Sequence, residues 1–336
     1  MTTGKKETLY YVYKILEEYT DEDHFLTQNE IINKVKMIYM ADMERKSVAS
    51  TIDLLIDLGF DINKRPGGGY ALFQRLLEDE EIKYIVDALF SSKSITGKQA
   101  NSIIEKLNTL KSKYKRTQYK YLLRSDAISR TSNVDVFYNI SVIEEAIGKG
   151  KKISFEYLTF SKKGEPISRY NGYRYVVSPY YLVNNFGKYY LLANYKEEYR
   201  PIQNYRIEYM INIEIVDKPL KPITSLKGCS DFDIVKYLNE HVYLFSDKVV
   251  TAKIKITEPY GIQYIFEYFG DKTEISYDEE TDTLYTYVKS SAEALFYWII
   301  QYGNCFELEE PEELLERIRK YYEKEIEKYG RPKNGT

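Results

Sequence analysis

Cysteine, histidine and tryptophan are almost missing: two, two and one in 336 residues. Cys229 and Cys305 are too few and too far apart for a disulfide framework or a thiolate zinc site. His24 and His241 leave no basis for a His-rich metal centre, so neither metal nor cofactor is expected. No uninterrupted apolar run reaches the ~18 residues of a membrane span. The N-terminus, MTTGKKETLYYVYK, lacks the basic-then-apolar plan of a secretory leader, so the expected location is cytoplasmic. GxxxxGK[ST] and HExxH are both absent; GKGK at 148–151 has the wrong spacing. Neither histidine stands in a recognisable Ser/His/Asp or Cys/His arrangement, and no enzyme is expected.

What is present is apolar residue in quantity, 43 %, with 36 tyrosines and a net charge of −3. The length suggests two or three domains. Charge is uneven. Between Ser91 and Arg124 nine Lys/Arg face the single acid Glu105, whereas the chain from Thr257 onward is acidic. Such asymmetry points to nucleic-acid contact or, more plainly, to a solvated helix face.

Apolar spacing predicts a helix over ETLYYVYKILEEY (7–19), with Leu9, Val12, Tyr13 and Leu16 inward. Thr27 followed by Glu30 is a capping box that opens QNEIINKVKMIY. A third helix, ERKSVASTIDLLIDLG, turns Val48, Ile52 and Leu55 inward and stops at Gly59. FDINKRPGGGYALF then reads as a hairpin. Three short helices and a glycine-tipped hairpin make a winged helix-turn-helix. Its third helix would present Arg45, Lys46, Ser47 and Ser50 to a major groove, with Lys64 and Arg65 on the wing. The plainer alternative is a structural three-helix unit.

Residues 76–123 return to helical spacing, and 138–148 form one more helix. From Lys151 the period changes to two. KKISFEYL, RYVVSPYYLV and KYYLLANY read as strands, the last two joined at NNFG, where Gly187 suits a hairpin turn. NYRIEYMINIEIV reads as a single strand with Tyr205, Ile207, Tyr209, Ile211, Ile213 and Ile215 on one face and Arg206, Glu208 and Met210 on the other. About five antiparallel strands favour a small closed barrel. The remainder runs β-α-β-β-α-β-α, suiting a ferredoxin-like split βαβ unit. Within KYYLLANY, Tyr189 and Tyr190 must point to opposite faces, so one of them faces away from the sheet's own core.

In this order the elements resemble the WYL-domain transcriptional regulators of bacteria. The family's Trp-Tyr-Leu falls on Tyr189, Tyr190 and Leu191, and its Pro-aromatic step on Pro179 and Tyr180. Its Phe-Arg-Leu-Asp-Arg-Ile falls on Tyr205 to Met210, with Tyr209 replacing the second arginine. Glu44 to Val48 are similar to the family's Asp-Arg-Lys-Thr-Val, and WIIQYG (298–303) with the Pro311-led last helix is similar to its C-terminal WCX extension. The resemblance implies an α+β multidomain chain: a winged helix-turn-helix (1–75), a helical linker (76–137), an Sm-like WYL barrel (138–222) and a ferredoxin-like WCX domain (223–336). It also implies a homodimeric regulator of double-stranded DNA whose barrel senses a single-stranded nucleic acid or nucleotide. Stacking on Tyr157, Tyr180 and Tyr190 with anion contacts from Arg174 and Arg206 would hold that effector. For the tyrosines the alternative is packing, and for Arg206 a structural salt bridge. A second function stays open, a nucleic-acid-binding accessory protein that modulates a partner effector such as a defence nuclease.

Overall fold

The computed structural model describes residues 4–116, 130–196 and 200–330. The chain divides into two compact units, Met1–Val134 and Asp135–Thr336.

In the first unit α1 (Lys5–Tyr19), α2 (Gln28–Tyr39) and α3 (Arg45–Asp57) precede a hairpin of β1 (Ile62–Lys64) and β2 (Tyr70–Leu72). The expected capping box starts α2: the Glu30 N–H donates to Thr27 Oγ1 at 3.3 Å, and the Thr27 N–H donates to the Glu30 carboxylate at 2.7 Å. Val12, Ile15 and Leu16 of α1, Ile31 and Val35 of α2, and Val48, Ile52 and Leu55 of α3 share one core with Ile62 and Leu72. Burying each such side chain contributes about 1.5–3 kcal/mol, so this core fixes which face of α3 points outward. The hairpin passes close to the first loop: a Cβ on Gly69, at φ +119°, would lie 3.2 Å from Phe25 Cβ. Two further helices, α4 (Asp79–Ser91) and α5 (Gly97–Asn108), pack through Ile82, Val86 and Ile104.

The basic run that follows α5 is used internally. Lys111 pairs with Asp79 at 3.2 Å, Lys115 with Glu22 at 2.5 Å and Arg116 with Glu18 at 3.3 Å. The Ser112 hydroxyl donates to Asp21, and Tyr114 stacks on His24 at 3.7 Å. These contacts clasp the chain after α5 to the loop between α1 and α2. The part of the basic run from 117 to 124 lies outside the described residues.

The second unit opens with α6 (Val136–Gly148). A six-stranded sheet follows: β3 (Lys151–Phe160), β4 (Pro166–Ser168), β5 (Arg174–Asn185), β6 (Lys188–Asn194), β7 (Gln203–Arg206) and β8 (Met210–Pro219). The ladder runs β4-β3-β5-β6-β7, and β8 pairs with β3. The β5–β6 turn has Phe186 and Gly187 both left-handed (φ 47° and 72°) between paired Asn185 and Lys188, the conformation a two-residue hairpin requires.

Two expectations need correction. The ladder does not close into a barrel: among the described residues β7 and β8, its two ends, are joined by chain but share no pairing. Nor is 203–215 one strand. A single 3-10 turn, Ile207–Tyr209, interrupts it, and Asn212 at φ +52° shifts the β3–β8 register. Ile207, Glu208 and Met210 are all buried there.

Beyond α7 (Ile234–Glu240) lie β9 (Val249–Ile256), α8 (Ile262–Phe269), β10 (Ile275–Asp278), β11 (Thr283–Ser291), α9 (Ala292–Gln301), β12 (Phe306–Glu310) and α10 (Glu312–Tyr329). The four strands form an antiparallel sheet in the order β10-β11-β9-β12. Its core holds Ile254, Val288, Leu295, Phe306 and Trp298, whose ring stacks on Phe306 at 4.5 Å. No described helix is long and apolar enough to cross a membrane.

Candidate nucleic-acid interfaces

In the first unit the core side of α3 leaves Arg45, Lys46 and Ser50 exposed at and just after its start. Ser47 is half-buried, and its carbonyl accepts the Ser50 hydroxyl at 3.1 Å, so Ser50 is partly engaged by its own helix. Lys64 and Arg65 are exposed beside the hairpin tip, where they lie over Tyr70 and Phe25 at 5.8 and 5.9 Å. Among the described residues none of the four cations has an acidic partner. The N-terminal turn of a helix adds unsatisfied N–H groups and a positive dipole end to such cations. The same exposed face carries Asp53, Leu54 and Asp57 further along.

In the second unit the structure assembles three of the five residues expected at a ligand site and separates two. Arg206 ends β7 opposite Tyr190 of β6, and its backbone N–H donates to Tyr157 Oη at 3.1 Å. The 3-10 turn then brings Glu208 and Tyr209 back to the same side chain. The Glu208 carboxylate accepts Nε of Arg206 at 2.8 Å and also its Nη2, while the guanidinium lies over the Tyr209 ring at 4.6 Å. Tyr157 and Phe160 each meet Tyr209 edge-on at 6.0 Å. The result is one cation framed by aromatic rings where the ladder breaks. On a straight strand Tyr209 would point away from Arg206, so the turn builds the cluster.

Arg174 and Tyr180 lie elsewhere. Arg174 pairs in register with Glu156, on the face opposite Phe155 and Tyr157. It donates to Ser154 Oγ at 2.8 Å, to the Asn212 carbonyl at 2.9 Å and to Glu214 at 3.1 Å, tying three strands together. The step Pro179–Tyr181 shifts register against β6. This bulge turns Tyr180 into an apolar cluster with Leu192, Ile202 and Leu226, where its hydroxyl donates to the Lys221 carbonyl at 2.7 Å. A side chain 9 % exposed and hydrogen-bonded at its tip offers no stacking face.

Electrostatics sharpen the picture. Burial raises the pKa values of Tyr157, Tyr190 and Tyr205 above the usual phenol value, so all three stay neutral donors or acceptors. Burial works against the Arg206 charge, but the hydrogen bond and negative charge of Glu208 outweigh it and hold its pKa above the ordinary value. Both readings of Arg206 therefore meet in one residue: it is ion-paired, and it sits in an aromatic frame with 27 % of its side chain exposed. The sequence pattern put Glu208 on the face of Arg206 without assigning it a part there, and it missed Tyr209 because the turn at 207–209 carries no glycine or proline to announce it. Among the described residues no group of three or more metal-ligating side chains forms.

The sheet and its cluster define a small β-domain with one cation set among aromatic rings. Residues 138–215, from α6 into β8, match the WYL domain family. No curated protein matches the chain. Among solved structures, proteasome accessory factor B/C (PafBC) of Arthrobacter aurescens is similar at 17 % identity over 98 % of this chain and 49 % of that one, with a TM-score of 0.29. A CRISPR Cas-related protein is 15 % identical over 97 % of this chain and 81 % of that one, with a TM-score of 0.40. The chain thus spans about half the length of the first of these.

Proposed function

We propose that the chain is a non-enzymatic, DNA-binding transcriptional regulator that responds to a nucleic-acid fragment or nucleotide. In this reading α1–α3 with β1–β2 are a winged helix-turn-helix, β3–β8 an Sm-like fold left open at β7–β8, and the βαββαβ order after α7 a ferredoxin-like WCX domain. The observation that carries it is the first turn of α3. There Arg45 and Lys46 are exposed and, among the described residues, without acidic partners, on a helix whose opposite face is locked in a core. Duplex phosphate is the polyanion such an end fits.

The effector is held at Arg206, with Tyr157, Tyr190 and Tyr209 supplying apolar and stacking surface; base–aromatic stacking contributes about 1–3 kcal/mol per base. Its capture changes operator affinity by as much as its own affinity differs between the two states. The working unit is a cytoplasmic homodimer reading a near-palindromic site. A second reading, the accessory protein acting on a partner effector, is favoured by Asp53 and Asp57 on the same face of α3. These acids oppose phosphate.

Selection of genomic fragments at near-physiological salt, followed by gel shift with and without short single strands, tests the proposal. A reproducible inverted repeat whose retention responds to single strands in wild type and not in Arg206→Ala is the expected result. Enrichment without any motif would overturn the operator reading and leave the accessory one.

A further inference from the structure

Between β4 and β5 the backbone makes a turn in which Tyr170, Asn171 and Gly172 are all left-handed, at φ 51°, 54° and 82°. Glycine takes this conformation freely and asparagine readily; a bulky aromatic residue seldom does. The turn holds the Tyr170 ring 69 % exposed. Arg169 folds over that ring at 4.9 Å and donates to its hydroxyl at 3.2 Å. Its side chain meets a ring and a hydroxyl rather than a carboxylate, so among the described residues its charge is not cancelled. Beside it Tyr173, 43 % exposed, shares a hydroxyl–hydroxyl hydrogen bond with Tyr195. Both rings stand edge-on to Tyr175, at 5.1 and 5.4 Å.

One residue, Tyr157, links the backbones of this patch and of the Arg206 cluster. The Arg169 N–H donates to the Tyr157 carbonyl at 2.8 Å, and the Arg206 N–H donates to the Tyr157 hydroxyl at 3.1 Å. Tyr157 therefore anchors both arginines by their backbones, one at each end of its own length. The two cations differ in kind. Glu208 offsets the charge of Arg206, which limits what a lone phosphate gains there; among the described residues Arg169 has no such partner.

We propose that Arg169, with the exposed rings of Tyr170 and Tyr173, is a second subsite, taking a further phosphate and base of a single-stranded oligonucleotide whose first nucleotide lies at Arg206. The inference rests on the reading of Arg206 as a nucleotide site, and it names the effector class: an oligonucleotide rather than a mononucleotide. Linked subsites make the second contact intramolecular, so affinity rises with strand length until both are filled.

The test is competition fluorescence anisotropy on the full chain with thymidine monophosphate and a thymidine oligonucleotide series, repeated at several salt concentrations. Wild type is expected to gain about tenfold or more in affinity from monomer to oligomer. Arg169→Ala should bind the monomer within about twofold of wild type, lose the gain with length, and show a log-affinity against log-salt slope shallower by about 0.7, the value of one single-strand phosphate neutralised. Arg169→Lys should keep the slope, and a Tyr170→Ala/Tyr173→Ala double variant should lose the gain with the slope intact. A uridine ribo-series run in parallel assigns the strand as DNA or RNA by whichever shows the Arg169-dependent gain. If Arg206→Ala abolishes binding while Arg169→Ala retains the full gain with length, the second subsite is wrong and the Arg206 reading stands. Binding that ignores Arg206→Ala, or no binding at all, overturns the Arg206 reading and this inference with it.

Discussion

At the start of α3 the cations stand in solvent with no acidic partner among the described residues, whereas at the β7–β8 break Arg206 is held by a carboxylate that is itself 2 % exposed. The first arrangement suits a repeating polyanion. Each exposed cation displaces a counterion from duplex phosphate, and selectivity is left to shape and base edges. The second suits a small ligand. The guanidinium is oriented in advance by Glu208 and Tyr209, so less rotamer freedom is lost on binding, but the net charge is near zero and phosphate attraction is weak. Under the proposed function the two regions would divide recognition: long-range attraction at one, local fit at the other.

The largest effect is expected where that division depends on a single buried group. Glu208→Ala should cost the second unit about 3 kcal/mol, the lower end of what breaking a buried pair costs, because Arg206 retains some access to water. Calorimetric melting of the full chain would show it as a lowered transition for that unit. Glu208→Gln keeps an acceptor for the Arg206 fork while removing the charge. It should hold the fold better and make nucleotide binding tighter and more salt-dependent, moving the second site toward the behaviour of the first. If Glu208→Gln instead weakens nucleotide binding as Arg206→Ala does, charge offset is not what Glu208 contributes, and the comparison fails on that side.

The other side is tested at α3. Changing Arg45 and Lys46 together to Ala should lower duplex affinity about tenfold or more and make the salt slope shallower by about 1.8, roughly 0.9 for each phosphate no longer neutralised. The second-unit transition in calorimetry should not move. An unchanged slope would mean that these cations do not touch phosphate, and the acidic Asp53–Asp57 stretch would then favour a protein partner.

How much of this could be read in the sequence follows from how local each determinant is. The helices of the first unit were legible because their periodicity is uninterrupted and their signals lie within four residues: Thr27 with Glu30, or Gly59 after Leu55. The strands were legible as strands but not as faces. The period-two rule assumes an unbroken pleat, and this sheet breaks it at Tyr180, at 207–209 and at Asn212. The bulge at Tyr180 takes that side chain out of the group it was expected in, whereas Arg174 stands in unbroken register with Glu156 on the face opposite Tyr157. Arg169 was missed although its signal was present: Asn171-Gly172 is a left-handed turn pair, and such a turn decides where its neighbours point. The basic run after α5 misled for the opposite reason. The partners of Lys111, Lys115 and Arg116 are Asp79, Glu22 and Glu18, far away in sequence, so only the fold shows that these three charges are engaged.

The clasp after α5 gives the smallest effect and the finest test of the comparison, since it sets paired cations against unpaired ones within the first unit. Asp21 is 2 % exposed and accepts from Ser112, His24 and the Asp23 N–H. Burial opposes its charge, but these hydrogen bonds, the Ser112 one foremost, hold its pKa below the ordinary carboxylate value. A carboxylate whose folded pKa is depressed stabilises the fold fully above its unfolded pKa of about 3.9, and that stabilisation is lost as pH falls through this value and then through the folded one. Asp21→Asn should therefore melt below wild type at pH 7, and the gap should narrow as pH is lowered past about 4. The duplex salt slope at neutral pH should stay that of wild type, because the clasp residues Lys111, Lys115 and Arg116 serve carboxylates rather than phosphate. A melting gap that persists undiminished into acid would show that the charge of Asp21 is not its source. A changed salt slope would place the clasp on the DNA-binding surface, and the contrast between engaged and available cations in this unit would be lost.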